Sequence, residues 1–520
     1  MPETTSGDIG GERNNLNYLP FRIFNLFILI VAMGRIAGAD TYVDERSRLI
    51  NEEKRIFMVN GGGNLSEKEE VVNRLLLRWK KDELDESYKN SSRLAASENF
   101  LVAKDDIEQS KVFQLIRKLP KGSSLHTHFL AGVNIDWIIS NITYNDNIYA
   151  CYLNNIFKLR VLQDPKQDAN CSWKSLKTYR KEFADENKSF DEFLKDKMTL
   201  GIDSLNQSRE EIWSKFKNTF STLYDLVAYR PIFKRYIYRL LEELYEDNVF
   251  YTELRGTFMP LYEINGTTYD TKQFLETFIE TVAEFKESHP KFVGAKYIHC
   301  LYRGVDNTTL KAGLEQLIYF KSLFPDFIAG FDFVGLEEDG KELVDFHDEL
   351  LGVSQDVKFF FHAGETFQYG HTDLNLVDAI LLNSSRIGHA FSLAKHPVLL
   401  NIAREKDIPV ELSLISNQVL RLNDDPRNHP ATVLLSQGYP VVICNDDPSV
   451  WSATGLSYDW YVVFMTMTWK EHGLEILKIF ARNSIQYSAM SDSEKTEAFS
   501  IWNEAWNEFV DLMIENLNKH

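Results

Sequence analysis

The chain has 520 residues, of which 44% are hydrophobic and 26% are charged, so a packed core is expected rather than disorder. Its 76 acidic residues outnumber its 57 basic residues and give a formal net charge of −19. This charge argues against general electrostatic binding to nucleic acid or to anionic membranes. The length allows one large domain with additions, or two or three ordinary domains.

The first element along the chain is an apolar segment, Phe21–Ala39, with Arg22 ahead of the run Ile23–Met33. The small residues Ala37 and Ala39 follow the run. This pattern is typical of a secretory signal cleaved near Ala39, so we predict a signal peptide over residues 1–39. A membrane anchor is the alternative. Arg35 interrupts the run before it is long enough to span a bilayer easily. We therefore expect a secreted, extracellular protein with no membrane span.

Sequons and cysteines agree with export. Cys151 and Cys171 lie close together in a polar region and could form a disulfide in an oxidising compartment. Cys300 and Cys444 lie in apolar runs and are predicted to be buried thiols. Nine Asn-x-Ser/Thr sequons predict a glycoprotein. They begin at Asn64, Asn90, Asn141, Asn170, Asn187, Asn206, Asn265, Asn307 and Asn383.

Residues 40–119 are predicted to be helical. The stretch EKEEVVNRLLLRWKKDELDESYKN carries apolar residues at helical spacing with charges between them. Ser66 and Glu69 form a capping-box pattern at its start. Two interpretations fit this pattern equally well: an appended arm used for dimerisation, or helices packed on their own domain.

From residue 120 onward, short apolar runs alternate with helical stretches such as Thr271–Ser288. Eight such strand-and-helix units predict a parallel sheet closed into a (β/α)8 barrel, class α/β, over residues 120–520. The first connection is too long for one helix, so we interpret residues 141–200 as an inserted lobe. The predicted strands are residues 123–129, 248–254, 292–300, 327–335, 357–364, 386–391, 408–416 and 439–446.

Four of these predicted strands end in possible metal ligands or acid–base groups, on the face where such barrels build active sites. Taken singly, each is weak, because a strand histidine is usually a satisfied core residue and Asp-Asp-Pro is usually a turn. Their joint placement is harder to attribute to chance. The groups are His126 and His128, then His362 with Glu365, then His389, and finally Asp446 with Asp447.

Three histidines and one carboxylate suit Zn²⁺, one ion per subunit, with a position left for water whose pKa falls to about 7. His389 and Asp447 are then spare groups for handling protons and orienting the nucleophile. Glu365 can protonate a ring nitrogen and make the adjacent carbon open to attack. The set predicts hydrolytic attack on an unsaturated C–N centre with release of ammonia.

The segments SSLHTH, AGFDFVG, FHAGET, RIGHAF, ISNQVL and NDDPSV stand in the order expected of the adenosine deaminase superfamily. Together with YEDNVFYTELR, RNHP and GLSYDWY, they make the chain resemble the adenosine deaminase-related growth factors, the secreted type-2 adenosine deaminases. The resemblance extends from about residue 45 to the C-terminus. It implies deamination of adenosine or 2′-deoxyadenosine, with growth-factor activity as an added expectation.

The resemblance also implies roles for individual residues. Glu365 matches the acid that protonates purine N1, and His389 matches the residue that activates or orients the zinc-bound water. Asp447 matches the carboxylate that holds the nucleophile and purine N7. Gly335 matches the glycine whose N–H meets purine N3, and Trp213 matches a tryptophan of the nucleoside pocket. The matching zinc ligands are His126, His128, His362 and Asp446.

Beyond the site, the resemblance implies a homodimer formed through the N-terminal helical arm. It also implies a receptor-binding lobe at residues 141–200 with a Cys151–Cys171 disulfide. The expected partners are a purine nucleoside substrate and a cell-surface receptor or glycosaminoglycan, with no nucleic acid.

The chain departs from the family pattern on the side that faces the sugar. Phe129 stands where the family has an aspartate that binds the ribose, and Ala390 replaces a glycine. Tyr302 and Gln368 also differ from the residues usual at their positions. Losing a hydrogen-bonding partner for a sugar hydroxyl weakens its recognition.

Three hypotheses follow. The first is a secreted zinc-dependent adenosine deaminase. The second is a growth factor or nucleoside-binding protein with weak or lost turnover, and the third is a deaminase of a purine with a less polar sugar or none. AMP deamination is less favoured, because secretion removes the usual substrate pool. The His-x-Glu and Pro-Cys-x-x-Cys signature of cytidine-type deaminases is absent from the sequence.

Overall fold

The computed structural model describes residues 39–57, 64–89, 94–167, 171–185 and 188–518. The predicted signal peptide therefore lies outside the described residues, apart from its last position. The chain divides into one unit that ends at Ile56 and a second that begins at Phe57. The described part of the first unit is a single helix, Ala39–Ile56. Among the described helices, none has both the length and the apolar character needed to cross a membrane.

The second unit begins with the helix that the capping-box pattern predicts, Glu67–Lys89. The Ser66 N–H donates to a Glu69 carboxylate oxygen at 2.7 Å, and the Glu69 N–H donates to the Ser66 hydroxyl at 3.3 Å. Lys80 is fully buried on this helix, and its ammonium donates to the Thr468 hydroxyl at 2.6 Å. The helix Glu67–Lys89 thus packs against other elements of the second unit, which also contains the barrel. A role of the arm in dimerisation, and the predicted limits 40–119, stay predictions.

Eight parallel strands form the barrel, as two four-stranded sheets with the orders β1-β5-β8-β9 and β10-β11-β12-β13. Backbone bridges join the sheets at Phe331 with Phe359 and at Thr127 with Asp446, which closes the ring. In chain order the strands are β1 (Gly122–His128), β2 (Ile148–Leu153), β3 (Ile156–Val161), β4 (Lys174–Ser175), β5 (Val249–Gly256), β6 (Leu261–Tyr262), β7 (Thr268–Tyr269), β8 (Gly294–Tyr302), β9 (Ile328–Val334), β10 (His362–Ala363), β11 (Ile387–His389), β12 (Val410–Leu412) and β13 (Val441–Ile443).

Helices connect the strands and cover the barrel. The helix Thr271–Ser288 has the bounds that the sequence predicts, because Asp270 and Gln273 form a capping box at its start. The other helices of this unit are Phe100–Gln109, Lys111–Lys118, Ile135–Asn141, Leu176–Glu182, Phe190–Met198, Arg209–Val227, Arg230–Glu246, Asn307–Leu323, His347–Val353, Asn375–Leu381, Pro397–Glu405, Leu414–Val419, Ala431–Ser436, Ser457–Thr466, Leu474–Gln486 and Asp492–Asn518.

The predicted inserted lobe follows β1. Its strands form a small antiparallel sheet in the order β3-β2-β4. Cys151 in β2 and Cys171 are joined by a disulfide that closes a separation of 20 residues. Cys300 and Cys444 are buried free thiols, as predicted. The boundaries 141–200 and a role in receptor binding stay predictions.

Four barrel strands, β10 to β13, are shorter than their apolar runs suggest, because each spans only two or three residues where six to nine are predicted. Of the predicted strand 408–416, only β12 is extended, and Leu414–Val419 is helical. The Asp459 carboxylate accepts a hydrogen bond from the Ile415 N–H at 3.0 Å, and so stabilises the start of this helix. Of the predicted strand 357–364, β10 keeps two residues. An apolar run does not distinguish a buried strand from a buried helix, so tertiary contacts decided the helical outcome at Leu414–Val419.

Candidate active site

Four predicted metal ligands converge at the carboxyl ends of the barrel strands. His126, His128, His362 and Asp446 each offer one ligand atom, and these four atoms lie within 4.8 Å of one another. The barrel closure brings them together, because the His128 N–H donates to the Asp446 carbonyl and the Asp446 N–H donates to the His126 carbonyl. Asp446 adopts a left-handed backbone with φ of 57°, a strained geometry often found at functional sites.

The cluster fits a divalent metal ion. Asp446 Oδ1 lies 3.2 Å from Nε2 of both His126 and His128. Within the described part of the chain, His126 Nε2 and Asp446 Oδ1 are buried and have no hydrogen-bond partner. Buried polar atoms normally have partners, so such a convergent pair suits coordination of a cation. Three imidazole nitrogens and one carboxylate oxygen are a typical donor set for a metal such as zinc.

Two further carboxylates hold the histidines from behind. Glu411 in β12 lies 2.8 Å from His126 Nδ1, and Asp332 in β9 lies 2.6 Å from His362 Nδ1. An ionised carboxylate only accepts, so each Nδ1 carries a proton and the other ring nitrogen is free to bind a metal. Burial alone would raise the pKa values of both acids, but nearby positive charges hold them well below their usual range.

Two buried arginines complete this arrangement. The Arg255 guanidinium donates to Asp332 at 2.6 Å and also to Glu411. Arg386 donates to Glu411 at 2.6 Å and to Glu253 at 2.6 Å. The sequence prediction missed all five residues. Charged side chains inside otherwise apolar strands were the available signal, because such groups are rarely buried without partners.

The three predicted acid–base residues lie beside the cluster. His389 Nδ1 is 3.5 Å from Glu365, and His389 Nε2 is 3.6 Å from Asp446. Burial raises the pKa of Glu365 well above its usual range, and the charge of Asp446 adds to this. Burial and Asp446 likewise raise the pKa of Asp447. Burial lowers the pKa of His389 well below its usual range. Glu365 is therefore a candidate proton donor, and His389 is a neutral imidazole.

A cavity of about 300 Å³ opens onto this group. Its volume is at the lower end of the range usual for small-molecule sites. Gly335 lines it with φ of 105°, and a Cβ there would lie 2.4 Å from the Tyr302 ring, so glycine is required. Trp213 lines it too, and its indole Nε1 is buried without a partner among the described residues. The three residues predicted to bind substrate, Gly335, Trp213 and Asp447, thus line the cavity together with three of the metal ligands.

Phe129 also lines the cavity, with only 2% of its surface exposed. Its ring centroid lies 6.1 Å from Tyr297 and 6.4 Å from both Phe233 and Phe274. Gly256, at the end of β5, makes room for it, because a Cβ there would lie 2.4 Å from the Phe129 ring. Phe129 is thus an apolar wall that the neighbouring residues accommodate.

The remaining wall is mainly aromatic. Trp213, Phe216 and Phe220 follow one face of the helix Arg209–Val227, with edge-to-face ring contacts of 5.4 and 5.1 Å. Lys217 lines the wall as well, and its ammonium lies 3.2 Å from Asp339. Among the described lining residues, carboxylates occur only in the group formed by Glu365, Asp446 and Asp447.

Fold and site together define a (β/α)8 hydrolase with a metal site at the carboxyl ends of its strands. The adenosine deaminase family matches residues 193–503, and the adenosine/AMP deaminase N-terminal family matches residues 24–116. The chain is 39% identical to adenosine deaminase 2 of Sus scrofa over 495 residues, which cover 93% of this chain and 96% of that protein.

Solved structures agree on the fold. The apo N6-methyl-AMP deaminase of Arabidopsis thaliana matches with a TM-score of 0.55 and 17% identity, covering 76% of this chain and 99% of that one. A cog1816 amidohydrolase from Burkholderia ambifaria, with bound Zn, matches with a TM-score of 0.52 and 17% identity, covering 79% and 95%. The chain belongs to the adenosine deaminase family and is a hydrolytic deaminase that acts on C–N bonds.

Proposed function

We propose that this chain is a secreted, zinc-dependent deaminase that converts adenosine or 2′-deoxyadenosine and water into inosine or 2′-deoxyinosine and ammonia. One observation carries the proposal. A buried carboxyl group with a raised pKa, Glu365, lines the same cavity as His128, His362 and Asp446, three of the four convergent metal ligands. Zinc bound by His126, His128, His362 and Asp446 would supply Lewis acidity and a nucleophile at neutral pH.

The chain's own groups would carry the rest of the reaction. Glu365, whose pKa is raised by burial and by the charge of Asp446, would donate to purine N1 and make C6 open to attack. His389 and Asp447 would orient the attacking water. Gly335 would meet purine N3, and Trp213 would donate to an oxygen acceptor of the nucleoside. Water oxygen adds to C6, one water proton passes to the 6-amino group, which leaves as ammonia, and the other replaces the proton that Glu365 gives to N1.

The test is ammonia release and the absorbance change from adenosine to inosine, measured on zinc-loaded full-length protein. We expect turnover by the wild-type protein and by Glu342→Gln, a glutamate whose side chain is 36% exposed. We expect its loss in Glu365→Gln, which removes the acid and keeps the shape. Undiminished turnover by Glu365→Gln would disprove the assigned role of Glu365.

A second candidate keeps the reaction and changes the substrate. The aromatic wall and Phe129 favour a 6-aminopurine whose sugar is less polar than ribose. Comparing kcat/KM for adenosine, 2′-deoxyadenosine and 5′-deoxyadenosine decides between the two. A higher kcat/KM for a deoxynucleoside than for adenosine favours this candidate. A kcat/KM that is tenfold or more lower for the deoxynucleosides favours adenosine.

Further proposals concern the setting of the enzyme. The segment Phe21–Ala39, the sequons and the Cys151–Cys171 disulfide support secretion and glycosylation. We also propose a homodimer through the N-terminal arm, and a growth-factor activity in which the lobe at residues 141–200 binds a receptor or glycosaminoglycan. A cell-growth assay with Glu365→Gln separates this activity from catalysis, because a signalling role would survive the substitution.

A further inference from the structure

A chain of buried polar side chains leads from the barrel wall to His389. Asn417 is fully buried in the helix Leu414–Val419, and His429 is 1% exposed in the next loop. Neither residue lines the cavity or belongs to the metal cluster. Asn417 nevertheless contacts His389 directly, at 3.0 Å from the amide nitrogen to Nδ1. The donor at the far end of this row of side chains determines the direction of every hydrogen bond in it.

The far end is a backbone N–H, which can only donate. Ala431 N–H donates to His429 Nδ1 at 3.1 Å, so that nitrogen carries no proton. Burial lowers the pKa of His429 to about 3, so the ring is neutral and its one proton lies on Nε2. The Phe391 ring packs against His429 edge-to-face at 4.9 Å and helps to hold its orientation.

The next two bonds follow from the first. His429 Nε2 lies 3.1 Å from Asn417 Oδ1, so it donates to that oxygen. The Asn417 amide must then present its nitrogen to His389, and an amide nitrogen only donates. His389 Nδ1 is therefore an acceptor. Because Nδ1 accepts, the ring proton of His389 lies on Nε2, the nitrogen that is 3.6 Å from Asp446.

We propose that Asn417 and His429 are positioning residues that fix His389 in the tautomer with the proton on Nε2. In that tautomer His389 directs an N–H donor toward the reaction centre, and acts there as a hydrogen-bond donor rather than as the base that takes a proton. The consequence for deamination rests on the proposed function. The tautomer itself does not.

Asn417→Asp is the decisive substitution, because it keeps the shape and reverses one bond. A carboxylate accepts from both neighbours, so it would draw the His389 proton to Nδ1. A wrong tautomer with intact geometry can lower kcat by about 10⁴-fold in a histidine-dependent enzyme. For zinc-loaded full-length Asn417→Asp we expect kcat to fall at least about 100-fold, with KM within about threefold of the wild type. Asn423→Asp is the control. The Asn423 side-chain amide donates to the Asp425 carbonyl and is not part of the row of side chains that ends at His389.

A pair at His429 tests the relay one bond further away. His429→Phe keeps a ring against Phe391 but removes the donor, and we expect kcat to fall about tenfold because the Asn417 amide can then rotate. His429→Gln keeps a donor and an acceptor and should restore most of the turnover. Equal losses in both variants would mean that the ring matters for packing alone.

Nitrogen-15 spectra of histidine-labelled protein read the tautomer without any assay of activity. The His389 signals are assigned by their loss in His389→Asn. We expect a protonated Nε2 in the wild type and a protonated Nδ1 in Asn417→Asp. A protonated Nδ1 in the wild type would overturn the inference even if adenosine is turned over. Absence of turnover with the predicted tautomer would count against the proposed function alone.

Discussion

The two ends of the cavity are built differently. At the metal end, three histidines are each held by a second polar group: His126 by Glu411, His362 by Asp332, and His389 by Asn417. At the outer end, the wall consists of rings that contact one another, and the Trp213 indole nitrogen has no partner among the described residues. Directional bonds fix the first end, and apolar packing shapes the second.

This difference separates chemistry from selectivity. Hydrogen bonds to charged groups fix an angle and a protonation state, which a reaction requires. Apolar surfaces tolerate changes in a ligand more readily, and discriminate over a few kcal/mol at most. Substitutions at the metal end should therefore change kcat or metal affinity by large factors. Substitutions at the outer end should change KM by small ones.

Removing the metal should have the largest effect. Dialysis against a chelator should abolish ammonia release, a loss of at least about 10³-fold, because acid catalysis alone supplies only part of the rate. Adding Zn²⁺ back should restore it. The melting temperature should also fall without metal, since a ligand that binds only the folded state stabilises it. Full activity after complete metal removal would contradict the assigned site.

Weakening one supporting carboxylate should have the next largest effect. Asp332→Asn removes the charge that holds His362, and we expect zinc affinity to fall about 10- to 100-fold, measured by competition with a chromophoric chelator. Asp306→Asn is the matched control. Asp306 caps the helix Asn307–Leu323 at its start, where asparagine caps equally well, so affinity should stay unchanged. Equal zinc affinities in the wild type, Asp332→Asn and Asp306→Asn would show that the Asp332 carboxylate does not strengthen metal binding by His362.

At the outer end, Trp213→Phe keeps the aromatic surface and removes the indole N–H. Loss of one hydrogen bond of about 1 kcal/mol predicts a KM about fivefold higher with kcat little changed. Trp137→Phe, outside the cavity lining, should leave KM within a factor of two. If Trp213→Phe instead slowed turnover about 100-fold at an unchanged KM, Trp213 would belong with the metal end and the comparison would break.

The smallest effect on turnover should come from outside the cavity altogether. Replacing both Cys151 and Cys171 with serine opens the lobe disulfide, whose 20-residue separation predicts a loss of about 3 kcal/mol of lobe stability. Limited proteolysis should then cut the lobe faster, while kcat/KM for adenosine stays within about twofold. A large loss of activity would show that the lobe shapes the site.

Elements that depend on neighbours along the chain could be predicted from the sequence alone. The helix Thr271–Ser288 could be placed because its cap and its apolar spacing are local. His126 and His128 could be paired because residues two apart on a strand share a face. The barrel class followed from repeated units of the same kind, and the comparisons confirm it.

Contacts between distant segments became visible only in the folded chain. His126 meets Glu411 across 285 residues, and the hydrogen bonds that end on His389 depend on where a short helix turns away from β12. The apolar pattern of Leu414–Val419 is compatible with a strand or a helix. The Asp459 carboxylate, which accepts from the Ile415 N–H, stabilises the start of the helix that forms. At Phe129 the sequence indicates only that a hydrogen-bond acceptor for the sugar is absent. The position of its ring, in the space beside Gly256, is set by the folded structure. Hydrophobic periodicity reports burial, but the partner of a buried polar group is set by three-dimensional packing.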